Sequence, residues 1–126
     1  MHIILAFLVL ICGILPLEAA QQIEIADHER ELYLSTGGIY TLEDILANGT
    51  QTPWQKFRGF MAAHNAHPKE GEKICPITLT KAHPNCTWVV GGKTYHFCCP
   101  PCIEEFLVMA KETPHLIKDP EEYVKR

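Results

Sequence analysis

The chain has 126 residues, 11 Lys and Arg against 15 Asp and Glu, and a net charge of −4, which allows one domain with little to spare. It carries no Lys/Arg cluster to neutralise phosphates, and a mildly acidic surface repels them, so nucleic-acid binding is excluded. Paired carboxylates, a nucleophile motif and a glycine-rich phosphate loop are all missing, and an enzyme is not expected.

His2 to Leu17 is almost uninterrupted hydrocarbon, followed by Glu18-Ala19-Ala20-Gln21. An apolar run this short that ends at small residues reads as a secretory signal over residues 1–20. It has no Lys or Arg before it, so the alternative is an uncleaved N-terminal membrane anchor. Cys12 belongs to the apolar run, since Ile11 is too bulky for a lipoprotein site. The expected location is therefore periplasmic or secreted, with any membrane contact made through residues 1–20.

Residues 21–40 are polar and charged with no lasting apolar period, and a flexible lead-in is expected there. Residues 41–66 are expected to be a helical segment. Thr41 caps a short helix that Asn48-Gly49 stops, and Thr52-Pro53 opens a second, with Trp54, Phe57, Met61 and His64 recurring at helical steps and Phe60 widening the stripe. That stripe is expected to pack on the core. Asn48-Gly49-Thr50 and Asn85-Cys86-Thr87 match the glycosylation acceptor pattern, which matters only in a eukaryotic secretory pathway. His67 to Gly71 is a linker.

Thr87-Trp88-Val89-Val90 and Lys93-Thr94-Tyr95-His96-Phe97 are β-prone runs joined by Gly91-Gly92, the pattern of a two-residue hairpin. Pro100 and Pro101 suit the first turn of a helix through Cys102, Phe106 and Met109. Ile103, Phe106, Leu107 and Met109 or Ala110 form its inner face, with Glu104, Glu105, Lys111 and Glu112 outside, and Pro114 ends it. Asp119-Pro120 caps a last turn that folds Tyr123 and Val124 back on the core. The expected fold class is α+β.

Three of the six cysteines, Cys98, Cys99 and Cys102, fall at the strand-to-helix junction, where free amides favour thiolate over thiol. Cys75 precedes Cys98 by the spacing Cys-x22-Cys, and Cys98 precedes Cys102 as Cys-x3-Cys. With Gly92 to Cys98, Phe106 and the closing Asp119-Pro120-Glu121-Glu122-Tyr123, this pattern resembles the YHS/TRASH family of small treble-clef-like metal-binding domains, over about residues 73–126. The resemblance implies a metal-binding or metal-sensing module with Cys75, Cys98 and Cys102 as ligands.

Zn2+ in a structural site takes four ligands, and the candidates for the fourth are Cys99, Cys86, His83 and His96. Cys99 is expected to point away from Cys98, whereas His96 shares a strand face with it. A three-thiolate site suits Cu+ or a soft heavy metal. Either ion would serve as a structural staple or be handled in trafficking or sensing, with an exported protein as a further partner.

Two other readings stand beside this one. Cys99-Pro-Pro-Cys102 is a Cys-x-x-Cys motif at a helix start, as in thiol-disulfide redox proteins, although only 24 residues follow it, too few for a thioredoxin-like fold. Alternatively, two disulfides and one free thiol staple a small binding module. Covalent haem is weaker still, because Ile103, not histidine, follows Cys102.

Overall fold

A computed structural model of the protein describes residues 17–126. The expected signal or anchor therefore lies, except for its last four residues, outside the described residues, as does Cys12. The fold is α+β. Helices α1 (Leu17–Tyr33), α2 (Leu42–Ala47) and α3 (Pro53–Lys56) precede an antiparallel hairpin of β1 (Thr87–Val90) and β2 (Lys93–His96). Helix α4 (Pro100–Glu112) follows, then two short 3-10 turns. No helix among the described residues is long and apolar enough to cross a membrane.

The hairpin pairs Thr87 with His96 and Val90 with Lys93, so the connection is Gly91-Gly92 alone. Both glycines have positive φ, 62° and 73°, which a two-residue turn of this type demands and side chains resist. Trp88, Val90 and Tyr95 turn inward and meet α4, whose buried face is Pro100, Cys102, Ile103, Phe106, Leu107 and Ala110. Of the two candidates for that face, Ala110 is the buried one. Tyr95 and Phe97 pack their rings against Phe106 at 4.8 and 5.2 Å between centroids, so the core lies between hairpin and helix.

Ahead of the hairpin, Ile74 bridges to Lys81 around a tight turn in which the Cys75 amide donates to the Thr80 carbonyl at 2.8 Å. Lys73 pairs with Val124, which ties the C-terminus to the start of this unit. Asp119 and Glu122 form a reciprocal cap there, as expected from Asp119-Pro120. Turn, hairpin and helix follow one another along the chain.

Helix α2 begins at Thr41 with a capping box to Asp44 and ends at Asn48, as its sequence signals require. It is bolted to the hairpin. The Asp44 carboxylate accepts from the amides of Thr41 at 2.9 Å, Gly91 at 2.7 Å and Gly92 at 2.8 Å. Asn48 donates to the Val89 carbonyl at 2.9 Å and accepts from the Val89 amide at 2.8 Å. Its amide is thereby buried and committed, so the Asn48-Gly49-Thr50 triplet is no acceptor site in the folded protein.

Two expectations are corrected. The lead-in over residues 21–40 is helical up to Tyr33, although α1 has no continuous apolar stripe. It docks at its C-terminal end through Glu29 and Tyr33 and through Lys111 Nζ, which donates to the Leu32 carbonyl at 2.8 Å. The helix opened by Pro53 runs only to Lys56. Phe57 already leaves helical geometry and Gly59 takes φ 78°, so the three- and four-residue spacing that reads as one stripe is spread over an irregular loop. Phe57 and Phe60 still reach the core, while Trp54 is 57% and Met61 83% exposed.

Candidate metal centre

Three segments supply sulfur to one point. The turn after Ile74 presents Cys75, the bend after β2 delivers Cys98, and the first turn of α4 contributes Cys102. Their Sγ atoms all lie within 4.8 Å of one another, and all three residues are buried. Cys98 and Cys102 are separated by 3.6 Å at sulfur. Thiolates at about 2.3 Å from a tetrahedral ion lie about 3.8 Å apart, so this donor set fits a thiophilic metal after small adjustments. The three cysteines can hold a metal ion.

The five described cysteines are all free thiols. The closest sulfurs stand 3.5 Å apart, far from the roughly 2.05 Å of a disulfide. Burial keeps the Cys86 and Cys102 thiols neutral when no cation is present. Cys102 is pushed well above the ordinary thiol range by desolvation first, then by its contact with Cys99 and by the charges that Cys75 and Cys98 would carry. The helix N-terminus was expected to favour thiolate, and at Cys102 burial overrides it. A bound cation reverses that balance, because it makes thiolate the stable form in the same apolar surroundings.

The candidates for a fourth ligand separate clearly. Cys99 does not point away from Cys98, contrary to expectation: strand geometry stops at His96, and across the following bend Cys99 Sγ comes within 3.6 Å of Cys98 Sγ and 3.5 Å of Cys102 Sγ. Cys86 is fully buried beside the cluster. Its thiol is pushed up to about 12 by burial and then by the nearby Cys99, Cys98 and Cys75, but it is not one of the three converging sulfurs.

Neither histidine joins the cluster. His83 accepts from the Asn85 amide through Nδ1 at 3.1 Å and stands edge-on to Phe60 at 4.6 Å. His96 lines a separate cleft with Lys73 and Tyr123, where burial, then Lys73, lowers its pKa. Period-two alternation fails to carry His96 to Cys98 because β2 ends between them.

One residue of the site escaped sequence reasoning. Thr78 Oγ1 lies 3.4 Å from Cys98 Sγ and 2.7 Å from Thr80 Oγ1, so a hydroxyl from the Cys75 turn touches the sulfur of another segment. Its position three residues after Cys75, on the opposite limb of a tight turn, is the signal that could have found it.

No family model, no curated protein and no solved structure matches the chain.

Proposed function

We propose that this protein is an exported metal-binding module that holds a soft cation, Cu+ foremost, on Cys75, Cys98 and Cys102 and handles it in trafficking or sensing. The observation that carries the reading is the convergence of those three buried sulfurs from three separate segments within 4.8 Å, with no histidine among them. An all-sulfur set of three favours Cu+ over Zn2+, which takes a fourth ligand in structural sites. The likeness of the cysteine spacing to YHS/TRASH domains supports the same reading, and the apolar N-terminal residues support export or anchoring by that segment. No catalytic role is assigned.

The test is an anaerobic competition titration of the reduced protein with Cu+ and Zn2+ against chromophoric chelators. One Cu+ per chain, bound in preference to Zn2+ and lost in Cys75→Ser, is expected. Preference for Zn2+, or binding indifferent to Cys75→Ser, contradicts the proposal.

A redox reading has one observation of its own, the 3.5 Å approach of the Cys99 and Cys102 sulfurs at the start of α4. In that reading the two thiols give up two electrons and two protons to a disulfide of a partner. It predicts a Cys99–Cys102 disulfide in the protein as isolated, which peptide mapping under non-reducing conditions detects.

A further inference from the structure

Four of the five described cysteines are buried, and Cys99 alone is partly exposed. It opens into a cleft of about 570 Å³ between the loop after α3 and the start of α4, walled by Trp54, Phe60 and Pro100 and rimmed by Arg58 and His64. Among the described residues, no Asp or Glu lines it, although the chain is acidic as a whole. The exposed Trp54 side chain, which the core does not use, stands at this opening. One thiol thus connects the solvent-filled cleft with the buried sulfurs, at 3.6 Å from Cys98 and 3.5 Å from Cys102.

We propose that Cys99 is the exchange sulfur of the metal site: the ion enters and leaves through it, and the cleft admits an anionic small-molecule thiolate complex or chelate of that ion. This rests on the metal-binding reading above. A three-sulfur site buried on every side releases its ion only if a bond breaks before another forms. An adjacent fourth sulfur lets the new bond form first. In loading, the carrier's metal–sulfur bond breaks as a metal–Sγ bond to Cys99 forms, and the Cys99 proton goes to the released carrier thiolate. As the ion moves inward, metal–sulfur bonds form to the resident cysteines, whose protons leave to solvent, and Cys99 is reprotonated when its own bond breaks. The oxidation state of the ion does not change. Arg58 gives the cleft its preference for an anionic carrier.

The direction of the kinetic change separates this role from that of a resident ligand. The Cu+-loaded protein is mixed with bathocuproine disulfonate, an anionic Cu+ chelator, and the transfer rate is read by stopped flow; neocuproine serves as the neutral counterpart. Cys99→Ser is expected to still carry one Cu+ per chain and to slow transfer about tenfold or more. Arg58→Gln is expected to slow transfer to the anionic chelator about threefold without affecting the neutral one. Ala62→Trp fills the cleft away from the thiols and is expected to slow both chelators, which keeps the test decisive if Cys99→Ser fails to fold.

Faster transfer from Cys99→Ser, or loss of its ion, would make Cys99 a resident ligand and overturn the exchange role. Unchanged rates in Cys99→Ser and Ala62→Trp would place the exchange path elsewhere. A wild-type protein that takes no Cu+ sinks the metal reading itself, an outcome distinct from the other two.

Discussion

Asp44 holds two elements together with one carboxylate. It is 2% exposed, caps α2 through Thr41, and receives both glycine amides of the hairpin turn. Those two amides point into the turn because both residues have positive φ, which makes a small anion-binding concavity that a carboxylate suits. Truncation would leave three part-buried amides without their shared acceptor. Asp44→Ala is therefore expected to destabilise the fold by about 3 kcal/mol, read as a shift in the urea midpoint, with Asp44→Asn recovering part of the loss. A loss below about 1 kcal/mol would mean that the turn stands without the clamp. Sequence showed Asp44 only as a helix-capping acid. Its partners at the hairpin lie 47 and 48 positions away, and no local pattern announces contacts at that distance.

Elements whose signals are local were legible. Thr41, Gly91-Gly92, Pro100 and Asp119-Pro120 each fix backbone geometry over a few residues, and each marks the boundary it was expected to mark. The stretch after Pro53 was not, because hydrophobic spacing reports which residues are apolar and not whether the backbone between them stays helical. Gly59 breaks it, yet Phe57 and Phe60 still find the core from a loop. The thiol cluster was legible in part. The resemblance to YHS/TRASH domains implied Cys75, Cys98 and Cys102 as a set, but the bend after β2 decided that Cys99 joins their neighbourhood and His96 does not.

Helix α1 carries its own pH dependence. Glu29, on its inner side, is 2% exposed and its Oε2 has no hydrogen-bond partner among the described residues. Its pKa is raised to about 7, by burial first and then by the charge of Glu104 on α4, with Tyr33 and Tyr40 the other titrating groups nearby. Glu104 is itself raised by burial. A raised folded-state pKa means that the folded form binds the proton more tightly. The stabilisation is complete below the ordinary carboxyl value of 4.5 and is lost as pH rises through about 7. Hydrogen exchange of the α1 amides, corrected for intrinsic rates, should show stronger protection at pH 5 than at pH 8, and Glu29→Gln should reduce the difference, with Glu104 leaving the remainder. Equal protection at both pH values in the wild type would contradict the account.

At the scale of the molecule, the sulfur site joins what is otherwise a thin structure. One two-stranded sheet, one helix of 13 residues and the α2 clamp make up most of the core. The cysteines tie the Cys75 turn, the hairpin and α4 to one point, so an ion bound there links the segments whose mutual packing defines the fold. Binding to the folded form alone adds stability as ligand rises above Kd, about 4 kcal/mol at a thousandfold excess. In the proposed function, handling and stapling would coexist: the ion would support the unit while it is held, and the partly exposed Cys99 would give it a way out.

Native mass spectrometry of the protein, purified without chelator or reductant and repeated on a Cys75, Cys98 and Cys102 triple serine variant, tests the central claim most directly. The account predicts a single bound ion in the wild type, identified by its mass, and none in the variant. A metal-free wild type lighter than its reduced form by the mass of paired hydrogens would show disulfides in place of a metal site and contradict it.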